Sequence, residues 1–78
     1  MDFESAAGDM KKRLGERIRH LRLARGLRQA DFDEGDPTGI ALSVYQSIEK
    51  GRANPSLTTL FKIAWKLDME LKDLFLFD

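Results

Sequence analysis

The chain has 78 residues, of which 42% are hydrophobic and 33% are charged, and it contains no cysteine. These values predict one small domain that folds around its own apolar core, and they exclude a disulfide framework and a thiolate metal site. No apolar run approaches the roughly 18 residues that a membrane span needs, so we expect no membrane contact and a cytoplasmic location.

The formal net charge is zero, but the charges are unevenly distributed along the chain. Residues 1–10 sum to −3, residues 11–28 to +7 and residues 29–50 to −4, whereas residues 51–78 are balanced. A zero total argues against indiscriminate binding to nucleic acid. The neutral total nevertheless conceals one strongly basic segment.

The predicted elements begin after a flexible N-terminal segment, residues 1–9. Apolar residues then recur at helical spacing and predict a first helix over residues 10–25, which Gly26 ends. A short second helix is predicted over residues 29–34, and a type I turn over residues 36–39, where Asp, Pro and Gly stand at their favoured positions. The apolar stripe of the first helix is Met10, Leu14, Ile18 and Leu21.

The second half of the chain predicts three further helices, over residues 42–50, 57–67 and 69–74. Gly51 ends the first of these, and Ser56 is a favourable N-cap for the next. No segment alternates as a strand does, so the sequence predicts an all-α fold, a compact bundle of about five short helices that makes residues 10–78 one domain. The core stripe of the fourth helix is Leu57, Leu60, Ile63, Ala64 and Leu67.

Residues that carry most enzyme chemistry are scarce in this chain. His20 lies among arginines on the first helix, and no nucleophile or phosphate-loop motif is present. The acidic run "DFDEGD" fails as a calcium loop, because counting from Asp31 places Gly35 at the fifth position and Leu42 at the twelfth. We therefore expect no enzyme activity, no metal, no cofactor and no small-molecule ligand.

Two short helices joined by a turn are the strongest functional signal. The segments "LGERIRHLRLARGLRQADF", "GIALSVYQSIEKGRANPSLTTLFKIAWKL" and "LKDLF" resemble the phage-repressor/Cro-type helix-turn-helix family, also called the XRE family. The resemblance implies a lambda-repressor-like fold that binds double-stranded DNA, with residues 42–50 as the helix that reads the major groove. The matching positions, in order, are Gly26, Gln29, Gly39, Glu49, Gly51, Asn54, Pro55 and Ala64.

The resemblance also implies roles for individual side chains. Arg22 and Glu49 are implied to form an ion pair that fixes the first helix against the third. Gln46 is the best candidate for reading a base, because its amide can donate and accept in one plane, as adenine recognition requires. The implied base-reading residues are Leu42, Ser43, Gln46 and Ser47. The residues assigned to the phosphate backbone are Gln29, Arg28, Lys50, Arg52, Asn54, Arg13 and Arg17.

One reading helix covers only a half-site, so family members usually form two-fold dimers on palindromic operators. We therefore expect a homodimer. Its interface is assigned to apolar residues of the fourth helix, the fifth helix and the C-terminal tail. These residues are Phe61, Trp65, Met69, Phe75 and Phe77.

Two features depart from the family and support an alternative function. The turn between the second and third helices is about two residues longer than usual and contains "DEGDP", and Leu42 replaces the usual polar residue. The alternative is a protein-interaction module, or an antitoxin-type partner protein, that binds DNA weakly. It would bind its protein partner through the acidic turn or the apolar C-terminal tail.

Overall fold

The computed structural model describes residues 1–33 and 39–77, which contain three α-helices, two short 3₁₀-helices and no strand. The all-α prediction is confirmed, although the second and fifth predicted helices are 3₁₀-helices of four and five residues. None of the described helices is long and apolar enough to span a bilayer. The α-helices are α1 (Phe3–Ala24), α2 (Leu42–Glu49) and α3 (Leu57–Lys66). The first 3₁₀-helix is Gln29–Phe32 and the second is Leu71–Phe75.

The helix α1 begins at Phe3, so residues 3–9 are helical and do not form the predicted flexible segment. The Asp2 side chain caps the helix by accepting a hydrogen bond of 2.8 Å from the backbone N–H of Ser5. Glu4 adds negative charge to the first turn, where the helix dipole favours it. These local signals start the helix seven residues before Met10, where the prediction placed its beginning.

Three residues predicted to end or begin helices do so in the structure. Gly26 and Gly51 follow α1 and α2 with φ of 69° and 73°, the left-handed conformation that glycine adopts without strain. Ser56 caps α3 by accepting a hydrogen bond of 3.1 Å from the backbone N–H of Thr59. The predicted turn and its extra length lie outside the described residues, except for Gly39.

One apolar core joins all five elements, and two residues of the predicted stripes lie outside it. Leu57 is 69% exposed and Met10 is 52% exposed. Leu57 points away from the core side of α3, and Met10 precedes Leu14, the first buried residue of α1. The core residues are Leu14, Ile18, Leu21, Phe32, Ile40, Tyr45, Ile48, Leu60, Ile63, Ala64, Leu67 and Leu74.

Candidate nucleic-acid interface

The first 3₁₀-helix and α2 form a two-helix unit that an aromatic stack holds together. The rings of Phe32 and Tyr45 lie nearly parallel, with their centroids 4.3 Å apart and 15° between their planes. Both side chains are fully buried. The backbone N–H of Ile40 donates a hydrogen bond of 2.9 Å to the carbonyl of Phe32, which brings the two ends of the intervening segment together.

The short helix α2 buries one side and exposes the other. Tyr45, Ile48 and Glu49 form its buried side. Leu42, at the start of the helix, is half-buried, and Val44 is 48% exposed beside the stripe. The opposite face therefore collects three of the four predicted base-reading residues and one predicted phosphate contact, at positions one helical turn apart. These residues are Ser43, Gln46, Ser47 and Lys50, of which Gln46 and Ser47 are half-buried.

The ion pair expected between Arg22 and Glu49 is present and buried. The Arg22 Nε donates to Glu49 Oε2 at 2.7 Å, and its Nη2 donates to Glu49 Oε1 at 3.1 Å. Each residue is only 7% exposed. Burial by itself raises the pKa of the Glu49 carboxyl, but hydrogen bonds from Arg22 and Gln29 outweigh burial and hold that pKa below its ordinary value. The pair thus joins the end of α1 to the end of α2 with a two-point contact.

Two glutamines extend this buried pair to the exposed face of α2. The Gln29 Nε2 donates to Glu49 Oε1 at 3.1 Å, and the Gln46 Nε2 donates to Gln29 Oε1 at 3.2 Å. Gln29 is predicted to contact a phosphate. In the structure its side chain also connects Glu49 to Gln46. A chain of side-chain hydrogen bonds runs from Arg22 in the interior to Gln46 on the surface.

Two close backbone approaches set the position of α2, and the sequence reasoning missed both. A Cβ added at Gly15 would lie 2.5 Å from the carbonyl oxygen of Ile48 and 2.6 Å from that of Glu49. A Cβ added at Gly51 would lie 2.7 Å from the Cα of Lys12. The available signal was Gly15 itself, since a glycine inside a strong helix lowers stability unless another backbone packs against it.

The predicted phosphate contacts that follow α2 lie on the surface. Lys50, Arg52 and Asn54 are exposed, and in the described part of the chain neither cation forms an ion pair. Arg28 is also exposed, but its Nη2 donates to Asp31 Oδ1 at 3.0 Å. The backbone N–H of Arg28 donates to the other oxygen of Asp31 at 2.6 Å, and this hydrogen bond lowers the pKa of Asp31.

Arg13 and Arg17 lie on another side of α1 and already have partners within the chain, so their assignment as phosphate contacts stays a prediction without support from this geometry. Arg17 donates from Nε and Nη2 to the carbonyl oxygen of Asp73, at 3.3 and 3.1 Å, and so holds the second 3₁₀-helix. Arg13 pairs with Asp9 at 2.9 Å. Both lie about half a helical turn around α1 from Gly15, on the side away from α2.

The same side of α1 borders an open groove of about 460 Å³ next to the C-terminal segment. The groove contains no cluster suited to a metal, since no group of three or more His, Cys, Asp or Glu side chains in residues 1–33 and 39–77 could hold one. Its lining residues are Arg13, Glu16, Arg17, His20, Leu76 and Phe77.

The residues assigned to a dimer interface divide into two groups. Phe61, Trp65 and Phe75 are 57%, 58% and 42% exposed, as a contact surface requires. Met69 and Phe77 instead are half-buried and pack against the core, so they belong chiefly to the fold. Leu57, assigned to the core from its spacing, is exposed one turn before Phe61 and lies on the same side of α3.

Comparison with known proteins identifies the family to which this sequence is similar. The sequence model of a family described as helix-turn-helix matches residues 18–74, which include the ion pair and the two-helix unit. The chain is 36% identical over 62 residues to an HTH-type transcriptional regulator of Archaeoglobus fulgidus, covering 80% of this chain and 86% of the relative. It is 34% identical over 59 residues to the regulator y4dJ of Sinorhizobium fredii, covering 76% of this chain and 74% of the relative. It is 39% identical over 62 residues to the regulator DdrOP3 of Deinococcus deserti, covering 80% and 46% of the two chains. No solved structure matches at a significant level.

Proposed function

This chain belongs to the helix-turn-helix family, and we propose that it is a transcriptional regulator that recognises a specific sequence of double-stranded DNA through α2. The observation that carries the proposal is a polar exposed face on a short helix whose other side is held to the core by a buried ion pair. Proteins of this architecture place such a face in the major groove, where each base pair presents a distinct pattern of donors and acceptors. The protein acts by binding and not by catalysis.

Gln46 supplies the most specific contact in this proposal. Its amide has two N–H groups, and one of them donates to Gln29. The second N–H and the amide oxygen remain to donate to N7 and accept from N6 of an adenine. The bond to Gln29 holds the amide plane before DNA arrives, so less conformational entropy is lost on binding. Ser43 and Ser47 read the neighbouring bases, and Leu42 contacts a thymine methyl group.

Residues at both ends of this face position the protein on the phosphate backbone. Lys50, Arg52 and Asn54 follow α2, whereas Arg28 is the N-cap of the first 3₁₀-helix and Gln29 is its first residue. These contacts orient the helix without reading sequence. Arg28 contributes less than Arg52, because its charge is already compensated by Asp31.

A second copy of the chain completes the operator in this proposal. Leu57, Phe61 and Trp65 form an apolar stripe on the outer side of α3, and exposed Phe75 lies in the 3₁₀-helix that packs beside α3. A two-fold dimer through this stripe presents two reading helices to a palindromic site. Replacing Phe61 and Trp65 by serine is expected to remove the association made through α3, seen as weaker self-association in sedimentation equilibrium, without unfolding the chain, because both side chains are exposed.

Selection of bound duplexes from a random DNA pool tests the proposal. We expect one enriched palindromic site, whose affinity falls steeply with salt as phosphate contacts require. The Gln46→Ala variant should lose about 1–3 kcal/mol on that site and tolerate another base at one position of each half-site. If no duplex is enriched at moderate salt, the proposal is wrong, and the protein-interaction alternative takes its place.

A further inference from the structure

The helix α1 extends well beyond the core that it supports. Its 22 residues correspond to about 33 Å, and the protein measures 40 Å along its longest axis but only 22 and 19 Å along the others. The first buried residue of α1 is Leu14. Residues 3–11 precede the close approach of Lys12 to Gly51 and form a projecting segment, which we call the α1 overhang.

The α1 overhang continues the apolar stripe of the core without a core to cover it. Phe3, Ala7 and Met10 precede Leu14 at spacings of four, three and four residues, the repeat that forms the seam between two paired helices. Phe3 is 84% exposed and Met10 is 52% exposed. An isolated helix of this length is marginal in water, so a partner that covers the stripe would stabilise it.

We propose that the α1 overhang pairs in antiparallel orientation with the same segment of a second copy of this chain. A two-fold axis between residues 8 and 9 places Ala7 opposite Met10 of the second copy. The same axis brings Phe3 to Leu14 of the second copy, at the edge of its core. Ala7 and Met10 then cover each other across the axis, and Phe3 reaches the edge of the second copy's core, where Leu14 is itself buried.

The charges beside the stripe match this arrangement and not a parallel one. Glu4 and Lys11 are seven residues apart and flank the stripe on the same side. Within the described residues neither side chain forms an ion pair. Antiparallel pairing places Glu4 of each copy beside Lys11 of the other, whereas parallel pairing places Lys11 beside Ala6 of the other copy and leaves it without an acidic partner. The wider distribution agrees, because residues 1–10 sum to −3 and the following segment is basic.

This interface goes beyond the proposed function and does not depend on DNA binding. It shares no residue with the stripe on α3, so a chain that uses both surfaces forms assemblies larger than a dimer through two kinds of two-fold contact. The pairing is measured without DNA, and in a Phe61→Ser/Trp65→Ser background, so that the α3 stripe does not contribute. Association in this background then reports only on the overhang, so its result does not depend on whether the proposed α3 dimer exists.

Sedimentation equilibrium of charge-reversed variants tests the pairing. Glu4→Lys and Lys11→Glu should each weaken self-association about tenfold, because each replaces two attractive contacts by two repulsive ones. The doubly reversed variant should regain the original association constant. An equimolar mixture of the two single variants should associate more tightly than either alone, since both contacts are then attractive.

Glu16→Lys is the matched control, because it changes the net charge equally on the side of α1 away from the stripe. Its association constant should equal that of the parent chain. Circular dichroism at neutral pH verifies that each variant remains helical. A parent chain that stays monomeric, or reversed variants that associate as the parent does, would overturn the proposal. Failure of the doubly reversed variant to recover would also overturn it.

Discussion

The side-chain amide of Gln46 on the exposed face of α2 donates a hydrogen bond to the amide oxygen of Gln29, 3.2 Å away. Gln29 donates in turn to Glu49, which is held by Arg22 in the interior. The orientation of the residue that we assign to base reading is therefore linked to a contact between α1 and α2. We therefore expect a substitution of Arg22 or Glu49 to change the orientation of Gln46, although the link from either residue to Gln46 runs through Gln29.

A double-mutant cycle tests the link between the two glutamines. Gln29→Ala should weaken binding to the preferred DNA site and relax the base opposite Gln46, because the Gln46 amide loses the bond that orients it. The effects of Gln29→Ala and Gln46→Ala should differ from additivity by at least about 0.5 kcal/mol. Titration of each variant with the selected duplex provides the four affinities. Strict additivity would show that the two amides act independently on DNA.

The buried ion pair predicts a specific dependence of stability on pH. The folded protein lowers the pKa of Glu49, so the pair stabilises the fold at neutral pH. That stabilisation is lost as the pH falls from about 4.3, the ordinary glutamate value, through the lower pKa of the folded state. Glu49→Gln leaves the Arg22 charge buried without its partner and should cost about 3–5 kcal/mol at neutral pH.

Urea unfolding at a series of pH values measures this effect. The free energy of unfolding of Glu49→Gln should lack the acid-dependent component that the parent chain shows. Glu16→Gln is the control, because Glu16 is exposed. Parallel pH profiles for the parent and Glu49→Gln would contradict the prediction.

Alanine substitutions at the two glycines inside α1 should change the stability of the fold in opposite directions. Gly15→Ala forces a Cβ to 2.5 Å from a backbone carbonyl oxygen, so α1 and α2 must separate. We expect a loss of about 1–3 kcal/mol in stability and weaker DNA binding. Gly8→Ala meets no atom within 4 Å and should stabilise the helix by about 0.5–1 kcal/mol. Thermal unfolding of the two variants compares them, and equal shifts would exclude the close approach.

Two arginines assigned together from sequence should behave differently. Arg52→Ala should weaken binding to all DNA sequences similarly and reduce the salt slope of the binding constant by about 1. Arg17→Ala should leave that slope unchanged and instead lower stability by about 1–2 kcal/mol, because its guanidinium binds the Asp73 carbonyl. Salt titrations and urea unfolding of both variants separate the two roles. A reduced salt slope for Arg17→Ala would return it to the DNA-binding surface.

The Tyr45 hydroxyl presents a different kind of test. Burial, together with the neighbouring Glu49 carboxylate, raises the pKa of Tyr45, and the hydroxyl has no hydrogen-bond partner among the described residues. Tyr45→Phe retains the stack on Phe32 and removes this unsatisfied group. The free energy of unfolding should therefore stay the same or rise by up to about 1 kcal/mol. A clear loss of stability would show that the hydroxyl bonds Glu49 in solution.

Local chemistry within the sequence was sufficient for the helical class and for most helix ends. Gly26, Gly51 and Ser56 end or begin helices through hydrogen bonds within a few residues of themselves, so their roles can be inferred without a fold. The prediction began α1 at Met10, although Phe3 and Ala7 continue its apolar stripe and the Asp2 side chain caps its first turn. The family resemblance added the ion pair between Arg22 and Glu49.

The tertiary structure alone decided which side chains share a surface. The contact of Arg17 joins residues 56 positions apart in sequence, and the contact of Gln46 with Gln29 joins residues 17 apart. Gly15 and Leu57 have roles that depend on which element packs beside their helix, and spacing within one helix does not contain that information. Hydrogen bonds inside a helix form between residues close in sequence. Which element packs against a given face of a helix depends instead on contacts between segments distant in sequence.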